Sequence, residues 1–482
     1  MERRRRPTTR IVLALIVVAL IVWGLARHAA RKELLSALGS NDMGVRVAAA
    51  RQLLATDKLE DSLSALPIIS RSKTAAALGE IQTQEAAKML GVVLRDQEEA
   101  PRRWAGRALV AHGKRAVPVL MSALASSGGT REEAVNALVE IARNEPQVAA
   151  QIRLLLSDKG TVVGAAIALS QMGDLGVGAL VRGCYAVDGD IRAYALDHLG
   201  LQQVEAGLPP ALDNLKPGGE KDNAIIALGL LGDRSAVPSL IPFLEDAALR
   251  VNAVTALGQI GDPRAVEPIV ATLTVTEKAY RNAAILALRR IGRPGLSALV
   301  RELRSPSVLM RQGAAAALVG IASGAADAPL VEALGDTDMS VRASAARALG
   351  WRDNLTAIEP LVGALGDDDW HVVDAAVEGL GEVGVGAIAR LVGVLAEPDR
   401  DPTVQYQVAR ALAAMGRPAV PELIRTLSRP EPGVQKWCAV ALGEIGDASA
   451  VGALRELAES SDSDVGRVAE EQIRVLSRAR SS

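Results

Sequence analysis

One ten-residue pattern returns along nearly the whole chain, and it limits the fold more than any other feature. Quoted from Val341, VRASAARALG recurs as LRVNAVTALG from Leu249, IRAYALDHLG from Ile191, VQKWCAVALG from Val434 and VRVAAARQLL from Val45. Its anchor leucine gives fifteen copies: Leu53, Leu78, Leu109, Leu138, Leu169, Leu199, Leu228, Leu257, Leu288, Leu318, Leu349, Leu380, Leu412, Leu442 and, as an isoleucine, Ile473. From Leu78 onward the spacing averages about 30 residues, the size of one helical hairpin in a stacked array. Only the first interval is short.

Four residues before the anchor, twelve copies carry Ala and the others Thr74, Val408 and Cys438. Three residues after it an apolar residue usually stands, as in Ile81, Ile141 and Ile260, and often a Gly follows, as after Ile260, Ile291 and Ile445. These positions share one face of a helix, and the Gly ends it. Segments such as AVPSLIPFLED from Ala236 and AVPELIRTLSR from Ala419 announce the partner helix, with Pro where a missing N–H costs nothing. Each unit therefore reads helix A, turn, helix B, turn. Aromatics make up only 2% of the chain against 49% hydrophobic residues, which suits closely packed helices of Ala, Leu, Val and Ile.

The Asp-bearing turn, the Val-Arg pair and the small-residue helix ending in Leu-Gly resemble HEAT repeats, in the short bacterial form first noted in phycobilisome bilin lyases. The resemblance implies an all-α solenoid, a right-handed superhelix of about fifteen two-helix repeats with helix B lining the concave side. It also implies a ladder in which the basic residue seven before the anchor, such as Arg46, Arg71, Arg250, Arg311 or Arg342, joins the turn aspartates Asp42, Asp246 and Asp338. The basic residue is replaced at Val162, Val373, Gln405, Gln435 and Gly466.

Positions five and two before the anchor lie opposite the Ala stripe and are expected to be exposed. Trp104 with Arg107, Tyr194 with Asp197, and Trp437 fall in this phase, and Arg347 with Trp351 lies close to it. Aromatic and Arg side chains are the usual anchors of protein interfaces, so these seven residues are the candidate protein-binding set. GDDDWHVVD from Gly366 sets three carboxylates beside His371, yet the repeat register places them in a turn, where Asp caps a helix. GVGALV from Gly176 and GVGAIA from Gly384 imitate a dinucleotide fingerprint but follow helices rather than strands. Cys184 and Cys438 read as buried thiols. No catalytic, cofactor-binding or metal-binding residue is assigned.

The amino terminus differs from the rest. Residues 1–10 form a basic tail, 11–27 a transmembrane signal-anchor helix, and 28–482 the solenoid. Ile11 to Ala26 is uncharged and spans about 24 Å as a helix, against about 30 Å for a bilayer core. A cleavable signal is the competing reading. Five arginines precede the apolar run, while Arg27, Arg31 and Lys32 follow it, which leaves the amino terminus in the cytoplasm and the solenoid in the periplasm or outside. A formal net charge of −2 argues against a nucleic-acid partner. The expected function is a membrane-anchored, non-enzymatic scaffold for protein partners, with no small-molecule substrate. The rival is a bilin lyase or isomerase, which rests on the resemblance alone.

Overall fold

A computed structural model describes residues 26, 28–56, 59–64, 66–321, 324–350, 355–397 and 400–479. The basic tail and, apart from Ala26, the proposed membrane segment 11–27 lie outside them. No helix among the described residues is long and apolar enough to cross a membrane. All regular elements described are helices, and their contacts divide the chain into two units, residues 1–227 and 228–482.

In the first unit residues 28–38 are helical, as ARKELLSALGS from Ala30 suggests, and Leu38 is buried. The B helices are Met43–Ala55, Ile68–Gly79, Glu99–His112, Gly128–Asn144, Val162–Gln171 and Gly189–Leu201. The short first interval has a simple cause. Helix A of the second repeat shrinks to one turn, Glu60–Leu63, although Leu59, Leu63 and Leu66 still bury their side chains.

The B helix Lys221–Leu231, which carries Leu228, contains the division, and the B helices after it are Arg250–Ile260, Lys278–Ile291, Val308–Ala317, Met339–Gly350, Trp370–Val383, Pro402–Ala414, Pro432–Ile445 and Ser463–Ala479. The A helices are short. Val420–Thr426 is preceded by the 3₁₀ turn Arg417–Ala419, and Val237–Leu240 passes into a second 3₁₀ segment, Ile241–Leu244, where Pro242 cannot donate an α-helical hydrogen bond. Asp233, Asp262 and Asp447 cap through their side chains the 3₁₀ turns Arg234–Ala236, Pro263–Ala265 and Ala448–Ala450.

The stripe inferred from the repeat is the core. Every anchor leucine is at most 2% exposed, and the residue four before it is buried in all fifteen copies, Thr74, Val408 and Cys438 included. Full burial of such a leucine is worth about 2–3 kcal/mol. Thr74 satisfies its hydroxyl on the Ser70 carbonyl at 2.8 Å, which lets a polar residue sit in the stripe. Ile473 is the exception, half-exposed because the last described helix has a repeat on one side only.

The arginine ladder exists, but its carboxylate is not the expected one. Arg46, Arg102, Arg192, Arg281, Arg311 and Arg342 each donate to a carbonyl six residues earlier, at 2.8–3.0 Å. Arg71, Arg311 and Arg342 also reach 25 residues ahead, to Asp96 at 2.6 Å, Asp336 at 2.6 Å and Asp367 at 2.8 Å. Arg192 and Arg250 reach a little farther, to Glu220 and Glu277, 28 and 27 residues ahead and directly before the next B helix. The aspartates singled out from the sequence are occupied otherwise. Asp42, Asp246 and Asp338 accept from the backbone N–H of Val45, Ala248 and Ser340, at 2.9–3.1 Å. A carboxylate that accepts from its own helix end is turned away from the arginine, so Arg311 and Arg342 find the acid two residues earlier, whereas Glu277, an N-cap residue that makes no side-chain cap bond, is left to hold Arg250.

The gaps in the ladder are partly filled. Gln435 donates to the Arg429 carbonyl six residues back at 2.7 Å, and Thr161, next to Val162, does the same to Leu155 at 3.0 Å. These side chains keep the backbone half of the arginine's role and lose its charge.

Candidate functional site

On helix Glu99–His112 the exposed residues are Glu99, Ala100, Arg103, Trp104, Arg107 and Ala111, as the repeat phase requires. Trp104 is 46% exposed, and the Arg107 guanidinium stands 5.9 Å from its ring centroid, at the limit of a cation–π contact. Together with Glu99, Ala100 and Arg103 they line a cleft of about 330 Å³. Glu133 of the next B helix lies 3.9 Å from Arg103, and burial pushes its carboxyl above the usual range despite that cation. The cleft thus offers an aromatic face, two arginines and the Glu99 carboxylate.

Tyr194 is 37% exposed, whereas Asp197 is half-buried and accepts from Asn223 Nδ2 at 3.0 Å. Burial raises the Asp197 pKa and lowers that of His198 beside it. Asn223 and His198 escaped the sequence reading, and the signal for Asn223 was its position five before the anchor of the next repeat. That position is not uniformly open. It faces the preceding B helix, so Asn223 bonds across to Asp197 and Trp437 Nε1 donates to Gln405 Oε1 at 3.0 Å.

Trp437 is therefore half-buried, a correction to its expected exposure. The Tyr406 ring stands 5.7 Å away at 49°, and Lys436 Nζ lies 5.0 Å from its centroid. Arg347, two before its anchor, is exposed and pairs with Glu378 on the neighbouring helix at 3.0 Å. Trp351 lies outside the described residues. Trp104 and Arg107 approach each other, as position five and position two of one helix should, while Asp197, Arg347 and Trp437 meet partners the sequence did not pair with them.

The remaining motifs resolve into structural roles. Asp367 holds Arg342, Asp369 accepts from His371 N at 2.9 Å and approaches His371 Nδ1 at 3.1 Å, and Asp368 is exposed. Among the described residues no group of three or more His, Cys, Asp or Glu side chains is placed to hold a metal. Gly176 sits inside helix Asp174–Gly183, where a Cβ would fall 1.8 Å from the Leu169 carbonyl oxygen. It permits a close approach of chain to chain, not of chain to phosphate.

Cys184 and Cys438 are both buried, and burial pushes each thiol up to about 12. Only roughly one thiol in ten thousand is then ionised at pH 8. Ellman's reagent is expected to leave both unmodified in the native protein and to titrate both in guanidinium. Rapid reaction of either thiol in buffer would contradict this burial.

A family model described as HEAT repeats matches residues 209–289, 296–381, 328–402 and 388–474, together more than half of the chain. The chain belongs to the HEAT-repeat family. No curated protein gives a significant sequence match. Solved structures similar to this HEAT chain include Kap121p, at 13% identity and a TM-score of 0.44 over 92% of this chain and 56% of that one. Importin beta is 14% identical, with a TM-score of 0.38 over 93% and 71% of the two chains. The complex of CpcE and CpcF of phycocyanin lyase from Nostoc sp. PCC7120 is 23% identical, with a TM-score of 0.26 over 50% and 93%. The chain thus spans little more than half the length of the Kap121p structure.

Proposed function

We propose that this HEAT-repeat chain is a non-enzymatic scaffold that binds protein partners along its B helices, held at a membrane by residues 11–27 with the solenoid outside the cytoplasm. The observation that carries the binding part is the cleft of Trp104 and Arg107. A large aromatic left 46% exposed beside an arginine, on a helix whose other faces are packed, is the composition of an interface anchor. The anchoring part rests on the apolar run from Ile11 and the arginines before it.

Detergent-solubilised full-length protein is expected to recover a partner from membranes, and Trp104→Ala with Arg107→Ala to reduce that recovery at least tenfold. Both side chains are exposed, so the variant should keep its circular dichroism and melting temperature. Equal recovery would refute the B-helix site. Mass analysis of the mature amino terminus tests the anchor, since a chain that begins at Arg27 would have lost it.

A further inference from the structure

Three consecutive B helices of the second unit begin on an exposed apolar residue. Val308, Met339 and Trp370 are the first residues of Val308–Ala317, Met339–Gly350 and Trp370–Val383, and they are 37%, 43% and 65% exposed. They occupy the same register, one per repeat, along the edge formed by the turns from helix A to helix B. At this edge a cleft of about 320 Å³ opens between successive turns, lined by Leu303, Arg311, Pro329, Glu332 and Asp336 among others.

The charge along this edge is one-sided. Arg304, Arg311 and Arg342 are held by Glu332, Asp336 and Asp367. Asp338 and Asp369 cap helices and Asp368 is exposed; His371 meets Asp369, and Arg311 and Arg342, which also act on Asp338 and Asp369, are already held by Asp336 and Asp367, so the carboxylates of these turns outnumber their cations. Farther on, Asp401, Glu431, Asp462 and Asp464 occupy the corresponding turns. Capping satisfies an aspartate's hydrogen bonds without removing its charge, so the apolar row runs through a negative field.

Spacing narrows the occupant further. Packed helices lie about 8–10 Å apart, and a polyproline II chain advances about 9 Å in three residues, returning its side chain to the same face. A pleated strand would turn the third residue away. We propose that this edge docks an extended cationic segment of a partner protein, in polyproline II form, with one apolar side chain every third residue. The apolar side chains sit on Val308, Met339 and Trp370, and lysines or arginines between them face Asp338, Asp368 and Asp369. The proposal rests on the scaffold reading but uses a surface separate from the Trp104 cleft.

The test is fluorescence anisotropy of a labelled peptide of three Leu-Pro-Lys triplets with the intact chain. A peptide of the same composition with its leucines out of triplet register is the control. The registered peptide is expected to bind at least tenfold more tightly, and more weakly at high salt. Trp370→Ala and Asp368→Lys, which break neither a cap nor an ion pair, should each weaken it about tenfold, while Trp104→Ala with Arg107→Ala leaves it unchanged. Equal binding of the two peptides, or indifference to either edge variant, overturns the proposal. So does light scattering that shows a dimer which Trp370→Ala makes monomeric, since the edge would then receive a second copy of this chain. Absent peptide binding with membrane recovery still dependent on Trp104 would sink this proposal alone.

Discussion

Gly350→Ala is expected to destabilise the second unit by about 3 kcal/mol, the upper part of the range for overpacking a close contact. A Cβ at Gly350 would lie 2.1 Å from Gly379 Cα, 2.5 Å from its carbonyl oxygen and 2.7 Å from its carbonyl carbon. All three atoms are backbone, so no side chain can move aside. Helices Met339–Gly350 and Trp370–Val383 would have to separate, and the packing on both sides of them would open. Alanine's better helix propensity returns about 1 kcal/mol and does not reverse the sign. Gly363, with nothing within 4 Å of its added Cβ, is the internal comparison. Gly363→Ala should be neutral or stabilising by up to about 1 kcal/mol. Urea unfolding followed by circular dichroism measures both, and an array coupled only through neighbours is expected to split its transition at the weakened interface. A Gly350→Ala protein that unfolds with the wild-type midpoint would show that the two helices are not in backbone contact.

Arg342→Ala is expected to cost a similar amount, about 3 kcal/mol, for an electrostatic reason. The guanidinium holds Asp367 through two hydrogen bonds of 2.8 Å and the Asp336 carbonyl through one of 3.0 Å, with both charged side chains under a fifth exposed. Removing the cation leaves Asp367 poorly solvated and unpaired. The exposed pair of Arg347 and Glu378 is the contrast, and Arg347→Ala should cost no more than about 0.5 kcal/mol. Acid provides an independent readout. Arg311 and Arg342 hold the Asp336 and Asp367 carboxyls below the ordinary 3.8. A lowered folded pKa gives stability that is complete above the unfolded value of about 4 and is lost as pH falls through the folded one. Between pH 5 and pH 2 the wild type should therefore lose more stability than Arg342→Ala. Parallel losses in the two proteins would mean that Arg342 does not govern Asp367.

The same residues show how far the chain could be read without its structure. The repeat length, the anchor leucines and the small-residue stripe were legible because helical periodicity is local, with each position three or four residues from the next. Thr74, Val408 and Cys438 were placed in the stripe by register alone, and all three are buried. The ladder was legible only in half. Its arginine was found, but the acid chosen from the pattern was the N-cap, as in Asp338, rather than Asp336 or Asp367. The choice depends on which way each carboxylate points within a turn, and spacing along the chain does not record direction. The candidate site fared similarly. Trp104 and Arg107 were found as neighbours, while Trp437 was read as open and turned out to bond to Gln405 across the repeat boundary.

By itself the sequence determined the helical class, the size and number of the repeats, the buried faces and where each helix stops, because these follow from periodicity, capping and glycine placement within one unit. Only the tertiary structure decided the partners of the ladder, the half-burial of position five, the backbone contact at Gly350 and the apolar row of Val308, Met339 and Trp370. Each of these joins residues about one repeat apart in the chain. Their distance in space is set by how one hairpin packs on the next, and that packing is a sum over many side chains rather than a local rule.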